Sequence, residues 1–310
     1  MRAADKIWWN GRLVPWDEAH IHVTSETALR GLNAFEGMRA YWRSGVSAFA
    51  IIAAKEHLAR LAESARLLQF PAENNLQRIG KGIVEVLKSV RLPDNVYLRP
   101  TIYIDQGAYE IDRSRITLGE FISWRRAPAS ASAVLKCCIA TWTHIPSSSF
   151  PTNAKTGAAY SVFRLARLEA LHQGYDDAIL LNDRGRVAET GGGSVFAVYG
   201  KTLVTPPLSE GILPSITRRI VMETLSGELG LSVQERELTV DNLQQADEVF
   251  VAGTLDEIAR VVLPGKDVPA RDHAESVVSK LQLLYQDLWR GNALSGAGWV
   301  ELISHDELQP

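Results

Sequence analysis

This sequence is poor in the features that mark disulfide scaffolds, membrane proteins and nucleic-acid binders. Only 2 of its 310 residues are cysteine, and they are adjacent, Cys137-Cys138, in an apolar run that reads as a strand. Neighbouring strand side chains point to opposite faces, so the two cannot bridge; a disulfide framework is excluded and both read as core residues. Neither sign of charge dominates: 33 Lys and Arg against 36 Asp and Glu leave −3, with no basic field to attract nucleic acid. No apolar run reaches membrane-spanning length, and no apolar signal segment follows Met1-Arg2-Ala3-Ala4-Asp5-Lys6. A soluble, cytoplasmic protein without a membrane partner is therefore expected. Internal repeats and low-complexity blocks are lacking too. What remains, 46% hydrophobic residues in 34.2 kDa, can fill a substantial core in one domain or two.

The punctuation of the chain predicts mixed α/β structure. Ile7 to Val14 reads as a hairpin around Asn10-Gly11, and Thr27 to Tyr41 as a loop followed by a strand. Leu58, Leu61, Ala65 and Leu68 recur at helical spacing in Lys55–Leu68, and a second helix is expected over about 76–90. In the strand Val96–Tyr103, period-two geometry puts Tyr97 and Arg99 on one face, a phenol beside a fixed fork of donors. Residues 129–133, small and polar between two apolar strands, read as a linker between a domain over 1–128 and a larger one over 134–310. Further helices are expected at 157–172, 215–229 and 275–289, the first two closed by Gly174 and Gly230. The tail Gly298-Trp299-Val300 reads as packed on the domain surface.

The most informative stretch is Phe150-Pro151-Thr152-Asn153-Ala154-Lys155-Thr156-Gly157-Ala158-Ala159-Tyr160. One lysine stands among small residues that leave room beside it and supply no carboxylate partner. A lysine drawn out of water loses proton affinity and becomes a usable amine nucleophile. The spacing alone is equally compatible with a solvated lysine at a helix start. Downstream, Glu189 precedes Thr190-Gly191-Gly192-Gly193-Ser194. Consecutive glycines permit positive φ and close backbone approach to a flat ligand. A helix starting near Ser215-Ile216-Thr217 would present unpaired N–H groups suited to a phosphate.

Lys155, Tyr160, Glu189, the Leu213-Pro214-Ser215-Ile216-Thr217 turn and Ala252-Gly253-Thr254, in that order, resemble the fold-type IV pyridoxal-phosphate enzymes, and among these the branched-chain aminotransferases. The resemblance runs from Ile7 to about Trp299. It implies a small N-terminal α/β domain and a larger C-terminal domain built on a pseudo-barrel sheet. It also implies a pyridoxal 5′-phosphate cofactor joined to Lys155 as a Schiff base, and amino transfer between an apolar, branched-chain-like L-amino acid and a 2-oxo acid. A D-amino-acid or amine transaminase, or a lyase like aminodeoxychorismate lyase, is the alternative. By the same resemblance Arg60, in His57-Leu58-Ala59-Arg60-Leu61, with Ile216, Thr217 and Thr254, would hold the phosphate. Tyr160 would bond the cofactor's phenolic oxygen and Glu189 its pyridine nitrogen. Phe35, Tyr97, Arg99, Gly192 and Leu255 would meet the substrate. No metal is expected; a homodimer is. Two positions depart from the pattern. Arg30 stands where an aromatic residue is common, offering either a second carboxylate fork or an ion pair with Glu26. Ser194 stands where asparagine is usual.

Overall fold

The computed structural model describes residues 5–90, 94–128, 134–266, 276–292 and 298–305. The chain forms two compact units, one of residues 1–129, 154–158 and 298–310, the other of 130–153 and 159–297. The expected linker, 129–133, lies outside the described residues. Two short segments from the expected second domain, including the one that carries Lys155, thus belong to the first unit.

The first unit is a sheet with helices on one face. Its strands are β1 (Lys6–Trp9), β2 (Arg12–Pro15), β3 (Asn33–Phe35), β4 (Met38–Arg43), β5 (Ala48–Ile52), β6 (Val96–Gln106), β7 (Thr117–Arg126) and the C-terminal β16 (Val300–Ser304). They run in the order β16-β5-β4-β6-β7-β1-β2, with β3 also on β6. The β1–β2 hairpin turns at Asn10 and Gly11, both at positive φ (44° and 94°), as a two-residue turn between twisted strands requires. Of the tail Gly298-Trp299-Val300, Trp299 is buried and Val300 begins the edge strand β16, antiparallel to β5. Residues 26–30, expected in a loop, form a one-turn helix α1 (Glu26–Arg30). Ser25 caps it by accepting from the Ala28 N–H, and Gly31 closes it at φ 70°. Helices α2 (Ala54–Leu67) and α3 (Glu73–Ser89) bury Leu61, Ala65, Ile79, Ile83, Val86 and Leu87 in the same core as Met38, Ile51, Leu98 and Ile102 of the sheet.

The second unit is built on a sheet that closes. Its strands are β8 (Val134–Thr143), β9 (Asp177–Leu181), β10 (Val187–Thr190), β11 (Ser194–Tyr199), β12 (Thr202–Thr205), β13 (Ser232–Glu235), β14 (Glu248–Gly253) and β15 (Glu257–Val262). The path β10-β9-β8-β15-β14-β11 returns to β10, a six-stranded ring extended by β12 and β13. Cys137, Ile179, Val187, Val195, Val251 and Ala259, one from each ring strand, fall in one buried cluster. Helix α4 (Tyr160–His172) packs Ala166 and Ala170 against Cys138, Ala178 and Leu180. Helix α5 (Ile216–Ile220) runs through a π turn (221–225) into α6 (Ser226–Glu228); α7 (Val240–Gln245) and α8 (Val277–Arg290) complete the unit. Among the described residues no helix is long and apolar enough to cross a membrane.

Candidate active site

In the first unit, the Lys155 segment is held by its backbone. The Phe35 N–H donates to the Lys155 carbonyl at 3.0 Å, and Ala34 and Thr156 form an isolated antiparallel bridge. The Lys155 N–H donates to Ser64 Oγ at 2.9 Å, and the Gly157 N–H to Asn33 Oδ1 at 3.0 Å. A Cβ on Gly157 would fall 2.9 Å from that Asn33 amide group, which would have to shift and give up its present bond. With the backbone fixed between β3 and α2, the Lys155 ammonium lies 5.2 Å from the Phe35 ring centre. The Arg99 guanidinium lies 3.7 Å from the same centre. Tyr97 and Arg99 are half-buried where Val96, Leu98 and Pro100 are buried, so they share a face as the period-two reading requires. The Arg125 guanidinium, opposite Tyr97 in register on β7, lies 5.1 Å from the Tyr97 ring centre.

Arg60 is not a loose surface arginine. Its Nε and Nη2 donate to the two oxygens of Glu36 at 2.7 and 2.8 Å, and Glu36 is fully buried. His57 Nδ1 meets Glu36 Oε2 at 2.8 Å. Burial alone would raise the Glu36 carboxyl, but the Arg60 charge and hydrogen bond, with the His57 hydrogen bond, hold it far below the carboxylate range. Burial is also the largest influence on His57 and pushes it down, against the pull of Glu36. The neutral ring that results must carry its proton on Nδ1 to satisfy a carboxylate acceptor. Arg30 pairs with Glu26 one helical turn away and lies 5.4 Å from the centre of the exposed Tyr109 ring. Of the two options for Arg30, the ion pair is the one formed.

In the second unit, Tyr160 opens α4 with its ring edge-on to Phe163 at 5.5 Å, and Phe163 packs on His144 at 5.5 Å. Among the described residues, the two hydrogen bonds to the Glu189 side chain fall on one oxygen: Oε1 receives His144 Nε2 at 3.1 Å and the Leu213 N–H at 3.1 Å. Burial opposes a charge on His144, but the Glu189 hydrogen bond and charge, helped by the Ile145 carbonyl, outweigh it and raise its pKa. The glycines that follow serve close approach alone. None of Gly191, Gly192 or Gly193 has positive φ, contrary to that part of the expectation. A Cβ on Gly192 would lie 2.6 Å from Asp256 Oδ2, and one on Gly193 2.7 Å from the Ala252 carbonyl oxygen. Thr190 Oγ1 closes the turn by accepting from the Gly193 N–H at 3.0 Å. Ser194, opposite Glu189 on β10 and Ala252 on β14, has a buried hydroxyl that finds no partner among the described residues. Thr254, half-buried, and Leu255, 42% exposed, follow β14. Ile216 and Thr217, both buried, open α5 behind the Ser215 cap.

Sequence reasoning missed Glu36, Ser64 and His144 as parts of these clusters. Glu36 and Ser64 sit in stretches with no local pattern to single them out; Ser64 follows Arg60 by one turn on α2, a spacing shared by any helical pair. His144 has no signal at all.

A family model described as amino-transferase class IV matches residues 33–263. A probable branched-chain-amino-acid aminotransferase of Aquifex aeolicus is 31% identical over 306 residues, which is 96% of each chain. The branched-chain-amino-acid aminotransferase of Escherichia coli strain K12 is 29% identical over 311 residues, 98% of this chain and 99% of that one. Among solved structures, a branched-chain aminotransferase of Thermoproteus uzoniensis with norvaline matches with a TM-score of 0.87 at 29% identity, covering 96% of this chain and 99% of that one. The same enzyme of Thermobaculum terrenum, in its PLP holo form, matches with a TM-score of 0.87 at 29% identity, over 98% and 99%.

Proposed function

Because the chain belongs to the class IV aminotransferases, we propose that it moves an amino group between a branched-chain or similarly apolar L-amino acid and a 2-oxo acid. Pyridoxal 5′-phosphate is the cofactor in this reading. The described residues fit that group: among them Ser194 has a buried hydroxyl in want of a partner, and the Glu189 side chain takes its two hydrogen bonds on one oxygen. In the glycine turn, a Cβ on Gly193 would run into the Ala252 backbone. When bound, the cofactor supplies the electron sink for the substrate's α-carbon.

The chain's own residues supply orientation and proton routing. Lys155 anchors the cofactor and, when its amine is released, takes the α-proton and returns it. A backbone held at both its N–H and its carbonyl lets the side chain swing without moving its root. Glu189 keeps a proton on the ring nitrogen, and His144, bonded to it, fixes the carboxylate's direction. Tyr160 donates to the phenolic oxygen, while Arg60, Ile216, Thr217 and Thr254 bind the phosphate. Phe35 forms an apolar wall for the substrate, Tyr97 and Arg99 address its carboxylate, and Gly192 and Leu255 line its approach. A homodimer and a cytoplasmic location complete the proposal.

The ordering of Lys155 and Arg99 around Phe35 carries this reading. The test is a coupled screen of L-leucine, L-valine, aromatic, acidic and D-amino acids with 2-oxoglutarate, run beside Lys155→Ala. Branched L-amino acids should be preferred, borohydride should fix the cofactor to Lys155 alone, and the variant should lose about 10⁴-fold or more in rate. Preference for a D-amino acid or an amine would replace the substrate assignment by the alternative transaminase. A colourless protein that takes up no pyridoxal phosphate would end the proposal.

A further inference from the structure

We infer that Glu36 is the positioning residue for Arg60: a buried carboxylate that grips the side edge of the guanidinium and aims its end edge at the cofactor phosphate. The inference rests on Arg60 as a phosphate ligand, and deepens that reading.

Helix α2 carries His57, Arg60 and Ser64 at i, i+3 and i+7, one helical face. Ser64 is the residue that accepts from the Lys155 N–H, so Arg60 stands on the face that meets the lysine segment. Long arginine side chains hold many rotamers, and an ordinary surface arginine would sweep through them. Here Nε and Nη2 are both bonded to Glu36, in the planar two-bond arrangement that fixes a guanidinium most firmly. Glu36 is fixed in turn, by His57 Nδ1 and by the Gly37 N–H at 3.3 Å.

Stability is a weak explanation for such a cluster. Burying an ion pair costs about as much in desolvation as it returns, and apolar residues of similar volume often do better. Orientation is the better one. The edge of the guanidinium that Glu36 uses is Nε with Nη2; Nη1 and the second Nη2 hydrogen face away from it. Glu36 also neutralises Arg60, so a phosphate is attracted less by net charge than by two donors held in a fixed direction.

The test compares pyridoxal phosphate with unphosphorylated pyridoxal, each bound to apoprotein and measured by equilibrium dialysis. Glu36→Gln should weaken pyridoxal phosphate by more than about tenfold while pyridoxal changes less than about twofold. In an Arg60→Ala background, Glu36→Gln should change neither, because the effect passes through Arg60. If Arg60→Ala lowers the phosphate preference but Glu36→Gln does not, the inference is wrong and the role of Arg60 stands. If Arg60→Ala leaves the preference intact, Arg60 is no phosphate ligand and both fall. Should Glu36→Gln not fold, Glu36→Asp keeps the charge and withdraws it by one methylene. A folded Glu36→Asp with undiminished preference would equally overturn the inference.

Discussion

The two buried histidines answer to their partners in opposite ways, and pH separates them. His144 has its pKa raised above the ordinary 6.5. Its contribution to stability is complete below 6.5 and is lost as pH rises through the raised value. His57 is lowered from the same 6.5, so its cost appears as pH falls below that value and the unfolded chain takes up a proton the folded one refuses. Glu36 adds in the same direction from 4.5 downward. Thermal midpoints followed from pH 4 to 9 should therefore fall toward both ends. His144→Gln should flatten the alkaline side and leave the acid side in place. An alkaline limb unchanged in that variant would show that Glu189 does not hold the proton on His144. None of this is legible in the sequence. Lys155, Tyr160 and Glu189 are visible because the family's chemistry demands those residue types in that order. Glu36 and His144 emerge only when strands and a helix far apart in the chain fold over one another.

At the scale of elements, the sequence is most readable where pattern is local. Helix α2 begins and ends within one residue of its expected limits, since apolar spacing and length are carried by the segment itself. The turn at Asn10-Gly11 is equally plain. Helix α1 is missed because a single turn has no periodicity to detect; only the Ser25 cap and Gly31 mark it. The glycine turn is found for a partly mistaken reason, and the actual one can be tested. Gly193→Ala would push a methyl to 2.7 Å from the Ala252 carbonyl oxygen, so one backbone must move. A cost of about 1–3 kcal/mol is expected in denaturant unfolding. Gly227, on α6, has open space around it and no positive φ. Gly227→Ala should instead stabilise by roughly 0.5–1 kcal/mol. Equal effects of the two substitutions would mean that the glycines of the turn are there for flexibility alone.

At the scale of the whole molecule, long-range pairing is what local pattern cannot supply. The C-terminal strand finds β5, some 250 residues earlier, and residues 154–158 join the unit formed mainly by 1–129. Either partner strand would look the same with a different mate, so a contiguous two-domain reading was the only one available from spacing. The same scale sets the last prediction. A cofactor that binds the folded protein and not the unfolded chain adds about 2.7 kcal/mol at a hundredfold excess over its Kd, and more with each further tenfold. For a chain this long that corresponds to a midpoint rise of roughly 4 °C over the apoprotein. The rise should continue with the logarithm of concentration after every site is filled, because mass action and not occupancy governs it. On the proposal that Arg60 and Thr217 hold the phosphate, unphosphorylated pyridoxal should give a smaller rise at equal concentration. A midpoint that stops climbing once the site is saturated would show that the unfolded chain also takes up the aldehyde, and that binding is less selective for the folded state than mass action on the folded chain alone requires.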